Sequence, residues 1–360
     1  MAENTLLPGQ RLRARAARSN AAGRFEALDR TGISDGWDIP EDDQLVQTEV
    51  RLEVPKSALS YNRSPDLPFD RSINPYRGCE HGCIYCFARP SHAFLNLSPG
   101  LDFETKLIAR PGIGAVLAKE LSAKAYAVQT VAIGTNTDPY QPIEAKHGVM
   151  REVLQVLRDF NHPVAITTKG TLIERDVDIL APMAALGLVR VGVSITTLDA
   201  GLSRSMEPRA AAPARRLATI RRLTDAGVPV RVMVAPVVPG LTDHEVEAIL
   251  QAAKDAGAVA ASFIMLRLPR EVSALVQDWL AQHYPDRAAK VMGRVRSLHG
   301  GRDYDPEFGK RMRGEGPWAD LIARRFAVAA GRFGLDAVQP KLRCDLFARP
   351  VRAGDQLALF

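Results

Sequence analysis

Apolar and polar positions along this chain fall into two regimes that meet near residue 70. Before that point apolar runs are few. Residues 48–54 alternate polar and apolar, the period of a strand laid against a larger body. Between Arg11 and Arg24 there are five arginines and no acid, which predicts a flexible basic arm. The alternative there is a short amphipathic helix over residues 12–17, which Ser19-Asn20 would stop. Pro55, Pro65 and Pro68 then mark a wandering linker.

From about residue 71 the pattern becomes regular. Short segments rich in Val and Ile alternate with helical ones, six times over. An extended segment at 71–77 precedes a helix near 113–124, and 130–134 precedes one near 146–159. Residues 163–168 lead to a helix near 174–186, and 189–195 to one near 213–226, where Pro213 suits the first turn. Residues 229–235 lead to a helix at about 243–256, where Thr242 or Asp243 is placed to cap and Glu245 falls in the first turn. The last pair is 259–266 with 271–283. These strands show little alternation, as strands buried on both faces do. Strands and helices alternating through short links imply parallel pairing and right-handed crossovers, hence an α/β fold that is either a partial barrel or an open sheet. After about residue 284 the rhythm stops, leaving a basic helix (287–298), a Gly-rich turn, another helix (317–332) and a tail. The chain thus divides into an N-terminal extension (1–70), a core (71–284) and a helical C-terminal extension (285–360).

Composition narrows the compartment more than the chemistry. With 360 residues, 46% of them hydrophobic, a large core can be buried. No apolar run approaches the roughly 18 residues of a membrane span. The first residues, Met1-Ala2-Glu3-Asn4-Thr5, lack the features of a secretory signal. Four cysteines, three of them clustered, are no disulfide framework. A reducing, cytoplasmic setting is the expectation. The net charge of +6 suits nucleic-acid contact and suits a solvated arginine-rich surface as well.

The clustered cysteines carry the chemistry. In Arg77-Gly78-Cys79-Glu80-His81-Gly82-Cys83-Ile84-Tyr85-Cys86-Phe87 they are spaced Cys-x3-Cys-x2-Cys. Three thiolates are one short of a closed zinc site, for which Cys344, His81 or His92 would have to serve as the fourth ligand. Three on one loop suit a cubane iron–sulfur cluster that keeps one iron without a protein ligand. Cys344 otherwise reads as a small buried residue. Further polar groups fall at the expected strand ends: residues 134–140, Thr167-Thr168-Lys169-Gly170, Ser194-Ile195-Thr196-Thr197 with Glu207-Pro208-Arg209, residues 236–240, and Arg267. Strand C-termini are where parallel α/β folds build active sites.

The cysteine spacing, with an aromatic just before the last cysteine, resembles the signature of the radical S-adenosylmethionine (SAM) enzymes. Asn74-Pro75-Tyr76-Arg77-Gly78, Thr137-Asp138-Pro139-Tyr140-Gln141-Pro142-x-Glu144, and Thr196-Thr197 with Glu207-Pro208-Arg209 resemble the branch related to spore photoproduct lyases, or DNA repair photolyase-like proteins. The resemblance runs from about residue 70 to 270. It implies a partial (β/α)6 TIM-like barrel, a [4Fe-4S] cluster on Cys79, Cys83 and Cys86, and S-adenosylmethionine chelating the fourth iron. It further implies an external electron donor of flavodoxin or ferredoxin type, and a 5′-deoxyadenosyl radical that takes hydrogen from a substrate. Tyr85 or Phe87 would lie near the adenine, and residues 234–239 would pack against it. Lys169 and Ser194 would contact the carboxylate or ribose. Thr137, Asp138, Glu207 and Arg209 complete the expected cofactor set, with turn capping as the other reading of Asp138 and Glu144, and mutual pairing as the other reading of Glu207 and Arg209. The photoproduct lyases carry another cysteine in the loop after the second strand; residues 134–138 here contain none.

Residues 300–318 interleave Arg302, Lys310, Arg311 and Arg313 with Tyr304, Phe308 and Trp318, a pattern suited to unstacked nucleic acid or to a lid over the barrel mouth. From another functional class, the alternative is a nucleic-acid-binding protein with a structural metal site.

Overall fold

The computed structural model describes residues 15–26 and 47–350. Its strands are β1 (Glu49–Leu52), β2 (Leu59–Tyr61), β3 (Arg71–Ile73), β4 (Tyr76–Arg77), β5 (Lys106–Ala109), β6 (Val131–Ile133), β7 (Val164–Thr168), β8 (Val189–Ser194), β9 (Val230–Val237) and β10 (Ala260–Met265). The helices are α1 (Asp102–Thr105), α2 (Ile113–Leu121), α3 (Glu144–His147), α4 (Val149–Asp159), α5 (Val177–Ala185), α6 (Ala200–Met206), α7 (Pro213–Asp225), α8 (Val246–Asp255), α9 (Glu271–His283), α10 (Pro285–Leu298) and α11 (Pro317–Phe333).

The main sheet runs β10-β9-β8-β7-β6-β3-β2. Its six strands from β3 to β10 are parallel, and β2 adds an antiparallel edge. This is the six-unit α/β partial barrel, one of the two forms the alternating pattern allows and the one the family resemblance implies. The 71–77 segment, however, is two strands in two sheets. Arg71–Ile73 pairs with β6, the chain turns at Asn74-Pro75, and Tyr76–Arg77 joins a small sheet with β5 and β1. The strand expected over 48–54 is β1 of that small sheet, parallel to β5.

Helix boundaries follow local chemistry. Pro213 opens α7, where its missing N–H costs nothing, and Gly227 (φ 78°) closes it in the left-handed region that a Cβ disfavours. The helix expected from 146 starts at Val149, after a separate turn of α3. The helices expected from 174 and 243 both begin as 3-10 turns. Neither Thr242 nor Asp243 caps the latter through its side chain. Thr242 Oγ1 instead accepts from Val238 N, and Glu245 turns back to accept from Thr197 Oγ1 and Leu198 N, fastening the end of β8.

Register shows which way the strand side chains point. Val164, Ile166, Val191, Val193, Val230 and Val232 occupy one set of aligned positions and are buried in the main hydrophobic core under the helices. Each such side chain contributes roughly 1.5–3 kcal/mol relative to exposure. The alternate positions form the lumen face: Ala165, Thr167, Arg190, Gly192, Arg231, Met233 and Ser262. Most of these are only half-buried. Burial therefore alternates along β7 although hydropathy hardly does, because Ala165 and Thr167 on the lumen side are only half covered. The expectation of strands buried on both faces holds for the helix side alone.

The lower end of the barrel, where the strands begin, is crossed by residues 336–349. Gln339 Nε2 donates to Val259 O, Arg343 N to Gly187 O, Ala348 N to Phe160 O, and Arg349 to Ala123 O. These carbonyls lie in the turns before β10, β8, β7 and β6 respectively. Phe347 packs there against Tyr126, Phe160 and His162.

The N-terminal segment is not a loose arm where it is described. Arg15, Ala16 and Ala17 are buried. Arg15 donates to Glu104 O and Thr48 Oγ1, and the amides of Ala16 and Ala17 donate to the Glu104 carboxylate. A buried acid fixes the arm by recruiting its amides, a long-range effect invisible in local composition. Residues 15–17 are not helical, and the rest of the basic-arm expectation, with residues 351–360, lies outside the described residues.

Candidate functional site

The cysteine loop springs from β4 and lies among the strand C-termini. Cys79 and Cys83 are buried, Cys86 is half-buried, and all are free thiols. The backbone around them is held from several sides. Cys79 N donates to Phe103 O, and Ile84 N to Met206 O. Gln141 brackets the loop, its Nε2 donating to Gly78 O and its Oε1 accepting from Glu80 N.

At the centre is Arg89, fully buried. Its Nε donates to Cys83 O, its Nη2 to Gly82 O, and its Nη1 to Pro99 O and Gly100 O. Its charge meets Glu104, also fully buried, at 2.5 Å. Carbonyls at two loop positions are thus gathered by one guanidinium, with the N-terminal segment closing the far side of Glu104. Gly82 (φ 64°) completes the fit, since a Cβ there would stand 2.7 Å from Glu104 Oε2. Sequence reasoning passed over Arg89, Glu104 and Gln141. For Arg89 the available signal was a cation beside Pro90, three residues past the last cysteine.

Asp138 sits in the loop after β6 with both carboxylate oxygens engaged. Oδ1 accepts from Tyr140 N and Thr168 Oγ1, Oδ2 from Lys169 N, and His81 Nδ1 lies 3.4 Å away. Burial works to raise its pKa, but the neighbouring His81 and these hydrogen bonds prevail and hold it at about 2. Asp138 therefore ties the β6 loop to β7 and to the cysteine loop. Thr137 Oγ1 donates to Tyr76 O. Glu144 is buried and accepts from the Tyr76 hydroxyl, Met150 N and Arg175. The Asn-Pro-Tyr and Thr-Asp-Pro-Tyr-Gln motifs thus brace one another.

Across the site, Glu207 is buried and accepts from the Tyr85 hydroxyl, Thr196 Oγ1 and Arg216. Burial opposes its ionisation, yet Arg216 and then Lys169 bring it down to about 2. Burial keeps the Tyr85 phenol neutral, well above its ordinary range. Glu207 and Arg209 do not pair. Arg209 instead meets Glu80 at 2.8 Å, and Glu80 also accepts from Thr48 Oγ1. Ser194 Oγ donates to Ala235 O. The Lys169 ammonium lies 5.7 Å from the Tyr85 ring centre and carries no ion pair among the described residues, which leaves its charge available beside Cys83. Phe87 is 45% exposed, with the Arg267 guanidinium 4.2 Å over its ring.

The three thiols are close enough for Cys83 and Cys86 to act electrostatically on Cys79. Burial raises Cys79 well above its usual pKa, followed by the charge of Asp138; Cys83 is pushed up to about 12 by burial and then Glu207. Among the described residues no three His, Cys, Asp or Glu side chains converge on a single ion. A cubane takes each thiolate on a different iron, whereas a single zinc ion needs its ligands to converge on one point. The candidate fourth zinc ligands have other contacts, although the buried His92 Nδ1 has no partner among the described residues. His81 faces Asp138, the His92 Nε2 meets Lys106 O, and Cys344 is on the tail at the opposite end of the barrel.

Residues 300–316 reach the same rim. Met265 N, at the end of β10, donates to Met312 O, and Arg311 grips Asp66 at 2.6 Å from the far edge of the sheet. Among the described residues no helix is long and apolar enough to cross a membrane.

Comparison with known proteins agrees with this geometry. The profile of the Radical SAM superfamily matches residues 73–253. An uncharacterised protein of Mycobacterium tuberculosis is 37% identical over 307 residues, covering 84% of this chain and 87% of its own length. One from Methanocaldococcus jannaschii is 26% identical over 215 residues, 59% of this chain and 76% of its own. In fold, the chain resembles spore photoproduct lyase complexed with dinucleoside spore photoproduct, with a TM-score of 0.58 at 16% identity and 79% coverage of each chain. A variant of that lyase with bound AdoMet and the dinucleoside gives 0.55. The profile spans half of the chain, the M. tuberculosis relative spans most of it, and the half barrel agrees with both, so the chain belongs to the Radical SAM superfamily.

Proposed function

We propose that this protein is a radical SAM enzyme whose Cys79, Cys83 and Cys86 hold a [4Fe-4S] cluster and whose strand ends bind S-adenosylmethionine. The observation that carries the reading is three free thiols within eight residues on the loop after β4, among the strand C-termini of a Radical SAM superfamily chain. The bound groups, given an electron from a flavodoxin- or ferredoxin-type donor, supply a 5′-deoxyadenosyl radical that takes hydrogen from the substrate.

The chain's own residues bind, orient and shield. Arg89 and Gln141 hold the backbone of the thiol loop, and the amides of Ala16 and Ala17 hold the Glu104 that pairs with Arg89. Lys169 offers an unpaired cation for the cofactor carboxylate. Tyr85 presents a buried ring locked by Glu207 and Thr196, and Ser194 lies beneath it on β8. Thr137, Asp138 and Glu207 serve mainly by holding their loops, because their side-chain oxygens already have protein partners; Arg209 pairs with Glu80 through Nη2, while its buried Nε has no partner among the described residues. Phe87 with Arg267, and Phe308 with Arg311 4.8 Å from its ring, form an aromatic and cationic rim suited to a nucleic-acid base.

Anaerobic reconstitution should load iron and sulfide, and dithionite with S-adenosylmethionine should then yield 5′-deoxyadenosine. A protein that loads zinc alone, or a full cluster that never cleaves the cofactor, would overturn the reading.

A further inference from the structure

The lower half of the lumen holds a feature that the chemistry at the rim does not use. Arg190 on β8 and Arg231 on β9 share the lumen face, linked by the register of Gly192 with Arg231. Neither has a hydrogen bond or ion pair among the described residues, and Arg231 Nε is sealed from solvent without an acceptor. Around them the lumen face offers Ser72, Ala132, Ala165, Thr167, Ala260 and Ser262, none of them acidic. The tail beneath adds Asp336 and Asp345; Asp345 is committed to Arg343 at 2.6 Å, and neither carboxylate is among the groups that shift the Arg231 pKa. Burial and then Arg190 depress the Arg231 pKa, with no carboxylate opposing them. Two guanidinium groups that repel each other and lack an acid match the charge and fork geometry of an oxyanion.

We propose that the floor of the lumen is a binding site for a terminal phosphate group of the substrate, held by Arg190 and Arg231. The phosphate is terminal because residues 336–349 cross beneath the barrel and leave a diester no path onward. Arg190 lies four residues below Ser194 on β8, about 13 Å at the rise of a strand, which is the span of a nucleotide-sized molecule. The assignment rests on the reading that hydrogen abstraction takes place at the rim of the same lumen.

The test uses the full chain at constant ionic strength, with calorimetric titration and thermal unfolding. The probes are inorganic phosphate, phenyl phosphate, dimethyl phosphate and acetate. Phosphate and phenyl phosphate should bind saturably and raise Tm, whereas dimethyl phosphate and acetate should not. The double variant Arg190→Gln/Arg231→Gln should bind phosphate about tenfold more weakly or worse. Without any anion it should melt higher than the parent, because a repulsion is gone. Each of three results would overturn the site: no saturable phosphate binding by the parent, equal affinity in the double variant, or a lower melting point for that variant in anion-free buffer. Dimethyl phosphate binding as tightly as phenyl phosphate would overturn the terminal assignment. The parent's iron and sulfide content is read separately, so failure to load a cluster sinks the proposed function and leaves the phosphate result standing.

Discussion

The two ends of the barrel treat buried charge in opposite ways. At the upper end Glu104, Asp138, Glu144 and Glu207 are buried or nearly so, and each is met by several donors. At the lower end Arg190 and Arg231 share a lumen face on which the described strands place no acid. Satisfied charges make a rigid frame, because removing one partner leaves the other stranded. Cations left without a counter-charge, one with its Nε sealed from solvent, are ready for an anionic ligand. The comparison separates scaffold from binding surface within one set of strands.

The largest expected effect breaks the upper end outright. Cys83→Ala should abolish stable cluster loading and reduce 5′-deoxyadenosine formation to background, while circular dichroism stays close to the parent's. Retained cofactor cleavage would remove Cys83 from the site.

Next comes the frame itself. Glu104→Gln leaves Arg89 buried without its counter-charge and should cost about 3–5 kcal/mol, read by denaturant titration. A loss below about 1 kcal/mol would mean that the loop carbonyls alone satisfy Arg89.

Acid should unfasten the two ends in different windows. Near the lower end, burial depresses His162 from 6.5 to about 4, so it is neutral in the folded state. Its contribution is complete above pH 6.5 and is lost as pH falls toward 4, amounting to about 3 kcal/mol. At the upper end, Asp138 and Glu207 are both held at about 2. Their contribution is present above the ordinary carboxylate range and disappears only as pH drops toward 2, about 2 kcal/mol for Asp138. Stability measured against pH should therefore fall in two stages. His162→Gln should flatten the first stage and Asp138→Asn the second; a single stage insensitive to His162→Gln would contradict the assignment.

The smallest effect sharpens the fit of the loop. Gly82→Ala combines a positive φ with a Cβ against Glu104 and should cost about 1–2 kcal/mol, visible as a lower melting temperature.

Much of the frame was legible in the amino-acid order. Val- and Ile-rich strands, Pro213 and the Cys-x3-Cys-x2-Cys spacing are local signals, and local signals mark elements and ligands. Partnerships were not legible. Nothing near Arg89 says that it, among 47 basic residues, is buried against Glu104. Asp138 and Glu144 looked equally suited to chemistry and to bracing, and only the donors that reach them from β7, Tyr76 and Arg175 decide for bracing. Arg190 and Arg231 sit in strands whose hydropathy reads as uniform core, because a half barrel conceals which face is hollow.

The strap beneath the barrel also has a meaning in time. Synthesis runs from the N-terminus, so residues 15–26, which fasten the cysteine loop, leave the ribosome before any strand of the barrel. Residues 336–349 emerge about 250 residues after Cys86, some tens of seconds later at roughly 5–20 residues per second. The residues that fasten the rim are thus available to the nascent chain before those that cross the floor, which come only after every strand has been made.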